Sequence, residues 1–262
     1  MKSQICDLLK IEFPLVAFSH CRDVVAAVSK AGGMGVLGAV GLTPEKLEIE
    51  LNWIDEHVDG KPYGVDVLVP NSYVGKGENL TTDDLRAMIP QEHRDFRSDI
   101  LEQYDLQASD LRSSENSKEL ESNSNGVLGA GLDGAKEVLE VAFAHPISLV
   151  ANALGVPPKW MLEMGKEHNV PVAALVGAKQ HAVKQAEAGV DIIVVSGTEG
   201  GGHCGSVSTM VLVPEVRRAL KDYGDVPILA AGGICTGEQM AGVMAMGADG
   251  VWCASVFLPT TE

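Results

Sequence analysis

The chain has 262 residues, a length that suits one large domain or two small ones. Apolar residues make up 45% and charged residues 21%, which is the composition of a folded globular protein and excludes global disorder. The 36 acidic and 20 basic residues give a formal charge of −16, so nucleic acid and anionic membranes are excluded as expected partners.

The sequence predicts neither a membrane span nor an export signal. The longest uncharged stretch, residues 141–158, is interrupted by prolines and by Asn152, so it does not form a continuous spanning helix. Charged Lys10 and Glu12 come before any apolar block of signal-peptide length. The five cysteines form no C-x-x-C pair, which argues against a disulfide framework and a structural zinc site. We therefore expect a cytoplasmic protein with reduced thiols and no metal.

Short apolar runs bounded by turn residues alternate along the chain with segments of helical periodicity. The predicted strands are residues 15–18, 36–39, 64–69, 147–150, 172–176, 192–195, 228–231 and 251–254. The predicted helices are residues 23–31, 44–57, 134–144, 158–168, 180–188, 214–222 and 237–246. Strands this apolar are typical of a parallel sheet covered on both faces. Eight such units predict a single α/β domain over residues 1–262, a (β/α)8 TIM barrel, with a doubly wound open sheet as the alternative.

Two features break this alternation. Residues 70–131 form a polar insertion after the third strand, rich in Ser and Asn in its second half, which we expect to be mobile. The insertion would serve either as a lid over a site at that end of the barrel or as a plain surface loop. No residues follow Glu262 to supply an eighth helix, so the apolar last strand would be exposed. We expect that the chain lacks a C-terminal part or that another element covers this strand.

The first glycine motif, Gly33-x-Gly35-x-x-Gly38, has the spacing of a dinucleotide-binding fingerprint but not its context. That fingerprint needs a strand before it and a helix after it. Here a predicted helix precedes the motif and a predicted strand follows. We assign these glycines to a tight turn and to close packing.

A denser motif directly follows the sixth predicted strand, where residues 196–205 read SGTEGGGHCG. Consecutive glycines leave backbone N–H groups open to a planar or anionic ligand and tolerate positive φ angles. His203 would lie at the carboxyl end of a barrel strand, where catalytic side chains occur, and a histidine exchanges protons near neutral pH. The motif predicts that His203 is a catalytic base, against the alternative of a structural histidine.

Small residues also follow the last two predicted strands. Gly232 and Gly233 come after strand seven, and Ala254 and Ser255 stand at the end of strand eight. The loops in these two places commonly bind a phosphate through backbone N–H groups in such barrels. The structural alternative is that small residues relieve crowding at the barrel end. A phosphate site beside a glycine-rich loop indicates a phosphorylated cofactor, and FMN fits a barrel better than a dinucleotide.

Together these motifs resemble the nitronate monooxygenase family, formerly called the 2-nitropropane dioxygenases. The resemblance lies in residues 8–14 (LLKIEFP), 26–35 (AAVSKAGGMG), 197–205 (GTEGGGHCG), 207–216 (VSTMVLVPEV) and 230–234 (AAGGI). It runs nearly from end to end, apart from the insertion. It implies an FMN-containing barrel that oxidises alkyl nitronates with O2.

The resemblance also implies roles for individual residues. His203 would remove the α-proton of a neutral nitroalkane, and Gly201 would face the flavin. The other flavin-binding positions would be Ala17, Phe18, Ser19, Asp66, Ser196, Gly202, Gly232, Gly233, Trp252, Cys253, Ala254 and Ser255. The chain departs from the family at Asp66 and Ser196, where the family often has Asn and Gln, and at residues 17–20, where Ala-Pro-Met is usual. Asp66 would place a negative charge beside the ring unless it is protonated or paired.

Three functions stay open on the sequence. The first is an FMN-dependent oxidation of alkyl nitronates. The second is an NAD(P)H-dependent flavin reductase or dehydrogenase of the same barrel group, acting on an enoyl or acyl thioester of CoA or acyl carrier protein, or on a quinone. The third is a flavin-free binding or scaffold protein that has kept the fold. The expected partners are a small-molecule substrate, nitronate or acyl thioester, and O2, and a homo-oligomer is left open.

Overall fold

The computed structural model describes residues 3–69, 82–106, 131–202 and 204–262. Eight parallel strands close into one barrel in chain order. The strands are β1 (Leu15–Ser19), β2 (Met34–Gly38), β3 (Tyr63–Val67), β4 (Leu149–Asn152), β5 (Val172–Val176), β6 (Ile192–Ser196), β7 (Ile228–Ala231) and β8 (Gly250–Cys253). Val16 pairs with Trp252 where β8 meets β1. The predicted (β/α)8 barrel is confirmed, and this closing pair excludes the open sheet.

Helices connect the strands and form the outer layer. They are α1 (Gln4–Leu9), α2 (Arg22–Lys30), α3 (Pro44–His57), α4 (Thr82–Ala87), α5 (Gln91–Gln103), α6 (Gly131–Ala144), α7 (Lys159–His168), α8 (Lys179–Ala188), α9 (Thr209–Ala219) and α10 (Gly237–Ala245), with 3-10 turns at Lys221–Tyr223 and Ser255–Phe257. In the described ranges, no helix is both long enough and apolar enough to cross a membrane.

The strands bury side chains on both faces, so the barrel has two apolar layers. Successive residues of a strand point to opposite faces. Val16 and Trp252 belong to the cluster that fills the interior of the barrel. Val65 and Val150 belong to the cluster between the strands and the helices. The uninterrupted apolar runs of the sequence follow from this burial on both sides.

A short N-terminal helix closes the amino-terminal end of the barrel. Ile5 and Leu9 of α1 are fully buried and belong to the interior cluster. They share that cluster with Met34 and Leu149, the first residues of β2 and β4. The sequence did not predict α1, because six residues are too few to show a helical period.

One helix begins earlier than predicted. The helical periodicity of residues 214–222 predicts a helix that begins at Pro214. Instead α9 begins at Thr209 and holds Pro214 in its interior. The Glu199 carboxylate accepts a hydrogen bond from the Thr209 backbone N–H at 2.9 Å, and so it caps the helix from the preceding loop. The predicted span of residues 214–222 is therefore wrong at both ends.

The insertion after β3 contains two helices in its described part, α4 and α5, which the sequence did not predict. No residue of α5 is buried, although the helix carries the large apolar side chains Phe96 and Ile100. Residues 70–81 and 107–130 lie outside the described residues. The expected mobility of the second half of the insertion and its role as a lid fall on those residues and stay predictions.

The outer face of β8 is buried, whereas the missing eighth helix predicted an exposed strand. Val251 and Cys253 are 0% and 5% exposed. Phe257, in the terminal 3-10 turn, packs against the outer apolar cluster. Together with Met240 of α10, these residues line an apolar cavity of about 240 Å³ beside the strand. Residues of the chain itself thus cover this face of β8, as one of the two alternatives predicted, and the other, a missing C-terminal part, stays a prediction.

Candidate active site

The residues predicted for the site follow or end β1, β3, β6, β7 and β8, so they lie at one rim of the barrel. On the β1 side this rim is aromatic. The rings of Phe18 and Trp252 stack with centroids 6.4 Å apart and planes at 25°. The His20 ring meets Phe18 edge-on at 5.1 Å, and His20 Nδ1 lies 3.0 Å from the carbonyl oxygen of Gly38. Phe18 and Trp252 both pack in the interior cluster.

Three of the predicted flavin-binding side chains have another orientation. Ala17 and Ser19 alternate with inward-facing Phe18, so they point to the opposite face of β1. Ser19 Oγ accepts a hydrogen bond from the Cys21 N–H at 3.0 Å. Cys253 belongs to the outer cluster, where burial raises the pKa of its thiol to about 11. A ligand inside the barrel would meet these three residues through their backbone.

The glycine-rich segment after β6 lies across the ends of neighbouring strands. A Cβ at Gly205 would overlap the carbonyl oxygen of Gly177, the residue after β5. A Cβ at Gly201 would lie 2.7 Å from Ser255 Oγ, beyond the end of β8. At Gly202 a Cβ would meet nothing within 4 Å. The lack of side chains thus lets this segment reach from β5 to β8 while leaving open space at Gly202.

Glu199 links this segment to α9 by hydrogen bonds with Thr209, whose hydroxyl also lies next to the end of β7. Its Oε2 accepts hydrogen bonds from Thr209 N at 2.9 Å and from Thr209 Oγ1 at 3.0 Å. The hydrogen bond from the Thr209 backbone lowers the pKa of Glu199. The Thr209 hydroxyl also lies 3.0 Å from Ala231 O and 3.1 Å from Gly232 O, and with one proton it serves one acceptor at a time. The sequence carried no signal for this pair, because the two residues look like ordinary polar loop and helix residues.

Two consecutive residues after β7 adopt left-handed backbone conformations that favour glycine, Gly232 with φ 94° and Gly233 with φ 70°. Among the residues that the structure describes, none accepts a hydrogen bond from the backbone N–H of Gly232, Gly233 or Ser255. Successive free N–H groups in such a turn form a concave site for an anion. The geometry suits a phosphate, the group predicted for this place.

Asp66 is buried inside the barrel. It is 2% exposed, and it alternates along β3 with Val65 and Val67, which face the outer layer. Its Oδ1 has no hydrogen-bond partner within the described part of the chain. Burial raises the pKa of the Asp66 carboxyl well above its usual range, because the charged form loses its hydration. The neutral acid is therefore favoured at this position.

The remaining predicted residues have the following places. His203, the predicted catalytic base, lies outside the described residues, between Gly202 and Cys204. Ser196 is the last residue of β6, and Ala254 directly follows β8; both are half-buried. Within the ranges that the structure describes, no group of three or more His, Cys, Asp or Glu side chains could hold a metal ion.

The first glycine motif serves packing, as predicted. A Cβ at Gly35 would overlap the backbone of Val25, so this glycine lets β2 approach α2 closely. A Cβ at Gly38 would lie 2.6 Å from the His20 ring. The order of α2 before β2 excludes the dinucleotide fingerprint.

The family model for nitronate monooxygenase matches residues 2–262, nearly the whole chain. The chain belongs to the nitronate monooxygenase family. This membership makes it an oxidoreductase of that type, and enzymes of this family generally use a flavin.

Two curated relatives and one solved structure are similar to the chain. A Mycobacterium tuberculosis protein named as a monooxygenase is 51% identical over 263 residues, which cover 100% of this chain and 68% of the relative. A Staphylococcus saprophyticus protein named as a nitronate monooxygenase is 25% identical, with 100% of this chain and 69% of the relative covered. The structure of a nitroalkane oxidase from Streptomyces ansochromogenes has a TM-score of 0.74 at 24% identity, over 99% of this chain and 69% of that one, and it shares the fold.

Proposed function

We propose that the chain catalyses the FMN-dependent oxidation of alkyl nitronates by O2. We further propose that His203 is the base that removes the α-proton of neutral nitroalkanes, so that these also react. The observation that carries the proposal is the set of backbone N–H groups of Gly232, Gly233 and Ser255, which face no acceptor in the described part of the chain. They lie on the rim that the glycine-rich segment crosses. Membership of the nitronate monooxygenase family supports the flavin and the class of reaction.

The loops after β7 and β8 fit the phosphate of FMN. An anionic phosphate would accept hydrogen bonds from the N–H groups of Gly232, Gly233 and Ser255, which have no acceptor among the described residues. The formal charge of −16 repels anions over most of the surface, so binding depends on these local N–H dipoles. A single phosphate site of this kind suits a mononucleotide, which has one phosphate, rather than a dinucleotide, which has two.

The neighbouring residues fit a planar ring. Phe18 and Trp252 offer apolar ring faces, and Gly201 and Gly202 offer backbone without side chains. The orphaned Oδ1 of Asp66 offers a polar partner inside the barrel. When bound, the flavin would accept electrons from the nitronate and pass them to O2. The residues around it would position the substrate and exclude water.

Proton handling falls to the histidine. A neutral nitroalkane carries an α-proton, and neutral His203 would take that proton at a ring nitrogen. A nitronate arrives without the proton and needs no base. The two substrate forms therefore separate the role of His203 from the oxidation that follows.

An absorption spectrum of the purified protein, titrated without oxygen, tests the function. We expect bound FMN that is bleached by an alkyl nitronate and not by NADH or NADPH. Rapid bleaching by a nicotinamide would favour the reductase acting on an acyl thioester or a quinone. A colourless protein that fails to bind added FMN would point to a flavin-free binding or scaffold protein.

The substitution His203→Asn tests the base. We expect it to lower the rate of oxygen consumption with a neutral nitroalkane by about 100-fold or more, the usual contribution of a positioned base. The rate with the matching nitronate should change far less, and the FMN content should stay the same. His181→Asn, an exposed position on α8, is the matched control. Equal losses on both substrates would contradict the assignment.

A further inference from the structure

Asp66 is a buried carboxylic acid whose Oδ1 has no hydrogen-bond partner among the residues that the structure describes. On the two strands that flank β3, its register neighbours are Gly38 and Ala151. Neither has a polar side chain, and the His20 and Phe18 rings fill the space beside Gly38, so neither register neighbour gives the Asp66 carboxyl a hydrogen-bond partner. An unpaired polar atom in an apolar interior is costly, and such atoms in native proteins usually mark a missing partner.

No charged side chain faces this carboxyl within the described part of the chain. β2 and β4 contain no titratable residue, and the interior cluster around them consists of apolar residues and the thiol of Cys6 in α1. The His20 ring at the rim contacts Gly38, a register neighbour of Asp66. Burial raises the pKa of Asp66, and no ion pair with a described residue opposes that rise.

A neutral carboxylic acid has one O–H donor and a carbonyl acceptor, whereas a carboxylate accepts only. The ring of a flavin presents carbonyl and ring-nitrogen acceptors beside an N–H donor. A protonated Asp66 therefore matches such an edge, as an asparagine would. An ionised Asp66 has no hydrogen to donate, so its two carboxylate oxygens would face the acceptors of the ring without forming a hydrogen bond.

We propose that Asp66 binds the flavin ring as a neutral acid, through its O–H, and that ionisation of Asp66 releases the cofactor. This inference rests on the proposed function, since it takes FMN as the ligand. Asp66 then acts as a positioning residue that makes cofactor affinity depend on pH. The affinity for FMN is highest while the Asp66 carboxyl is protonated, and it falls as the pH rises through the pKa of Asp66.

The test compares FMN dissociation constants of the whole protein and of Asp66→Asn between about pH 5 and about pH 9, by quenching of flavin fluorescence. Asparagine keeps a donor and an acceptor but does not titrate in this range. We expect a wild-type to variant ratio near one at low pH, rising by up to about tenfold per pH unit above the pKa of Asp66. Because FMN is the probe in both proteins, ionisation of its phosphate cancels in the ratio.

Two further measurements keep the inference falsifiable. Asp66→Leu should weaken FMN binding at low pH by about tenfold or more, because it removes both polar groups. An infrared difference spectrum between FMN-bound and FMN-free protein should show a protonated carboxyl C=O band that Asp66→Asn lacks. Asp59→Asn is the control, since it makes the same change in charge at an exposed residue whose φ of 53° suits asparagine.

A ratio that stays flat with pH, or full FMN affinity in Asp66→Leu, would overturn the inference. If the wild type still binds FMN and is bleached by a nitronate, the proposed function survives that result. A wild type that binds no FMN would overturn both.

Discussion

His145 is held between two carboxylates on the outer layer of the barrel. Its Nδ1 lies 2.6 Å from Asp55 Oδ2 and its Nε2 lies 3.1 Å from Glu48 Oε2. Tyr63 donates a further hydrogen bond to Asp55 Oδ1 at 2.6 Å. With an acceptor at each ring nitrogen, the ring binds both protons. Burial lowers the pKa of His145, but the hydrogen bonds with Asp55 and Glu48 outweigh it and raise the pKa above its usual value.

This network predicts a loss of stability in mild alkali. Because folding raises the pKa of His145, its contribution is complete below the unfolded value of about 6.5 and disappears as the pH rises through the folded pKa. We expect His145→Gln to lower the free energy of unfolding by about 2 kcal/mol near pH 6 and by less near pH 9. Urea unfolding at both pH values measures this. His181→Gln, at an exposed residue of α8, should change neither value. An equal loss at both pH values would show that the positive charge of His145 does not contribute.

The sequence offered no sign of this role for His145. Its two partners lie 90 and 97 residues away along the chain, and the contact exists only once α3 packs against α6, the helix that ends just before His145. The resemblance to the nitronate monooxygenase family predicts Asp66 and Phe18 at the site, near the ends of apolar runs. A family resemblance thus reaches side chains that end predicted strands, whereas partners brought together by helix packing leave no sign in the sequence.

At the scale of elements, the close approach of Gly205 to Gly177 fixes the loop after β6 against the end of β5. A methyl group at Gly205 would overlap the Gly177 carbonyl oxygen, so Gly205→Ala must displace the loop. We expect it to weaken FMN binding by about tenfold or more and to lower the free energy of unfolding by about 1 to 3 kcal/mol. Gly202→Ala is the control for folding, because its Cβ would enter open space. Equal thermal unfolding midpoints for the two variants would contradict this account.

Strand positions were predictable from apolar runs, and β5 and β7 have the predicted bounds. The predicted fourth strand, residues 147–150, lies two residues before the observed β4, which extends to the polar residue Asn152. Asn152 is fully buried in β4. Its Oδ1 accepts a hydrogen bond from the Val69 N–H at 2.9 Å, and its Nδ2 donates to the carbonyls of Leu154 and Gly155, both at 3.1 Å. A polar residue whose hydrogen bonds are all made by loop backbone gives no sign of burial in the sequence.

At the scale of the whole molecule, α1 seals the amino-terminal end of the barrel interior. Leu9 is 0% exposed, whereas its neighbour Leu8 is 42% exposed. We expect Leu9→Ala to lower the free energy of unfolding by about 3 kcal/mol, since it removes side-chain atoms from a packed interior and leaves a cavity. Leu8→Ala should change it by less than about 0.5 kcal/mol. Guanidinium unfolding of both variants measures the difference, and similar losses would show that α1 does not pack as described.

The helix α1 and the aromatic rim at Phe18 and Trp252 lie at opposite ends of the same packed interior. A substitution in the rim loops, away from close backbone contacts such as that of Gly205 with Gly177, therefore leaves the packing at the α1 end unchanged. We expect homologues that diverge at such rim positions to differ in the compounds they accept while melting at similar temperatures. Diversification of substrate range in this lineage would then proceed by small steps, with little risk to the folded state.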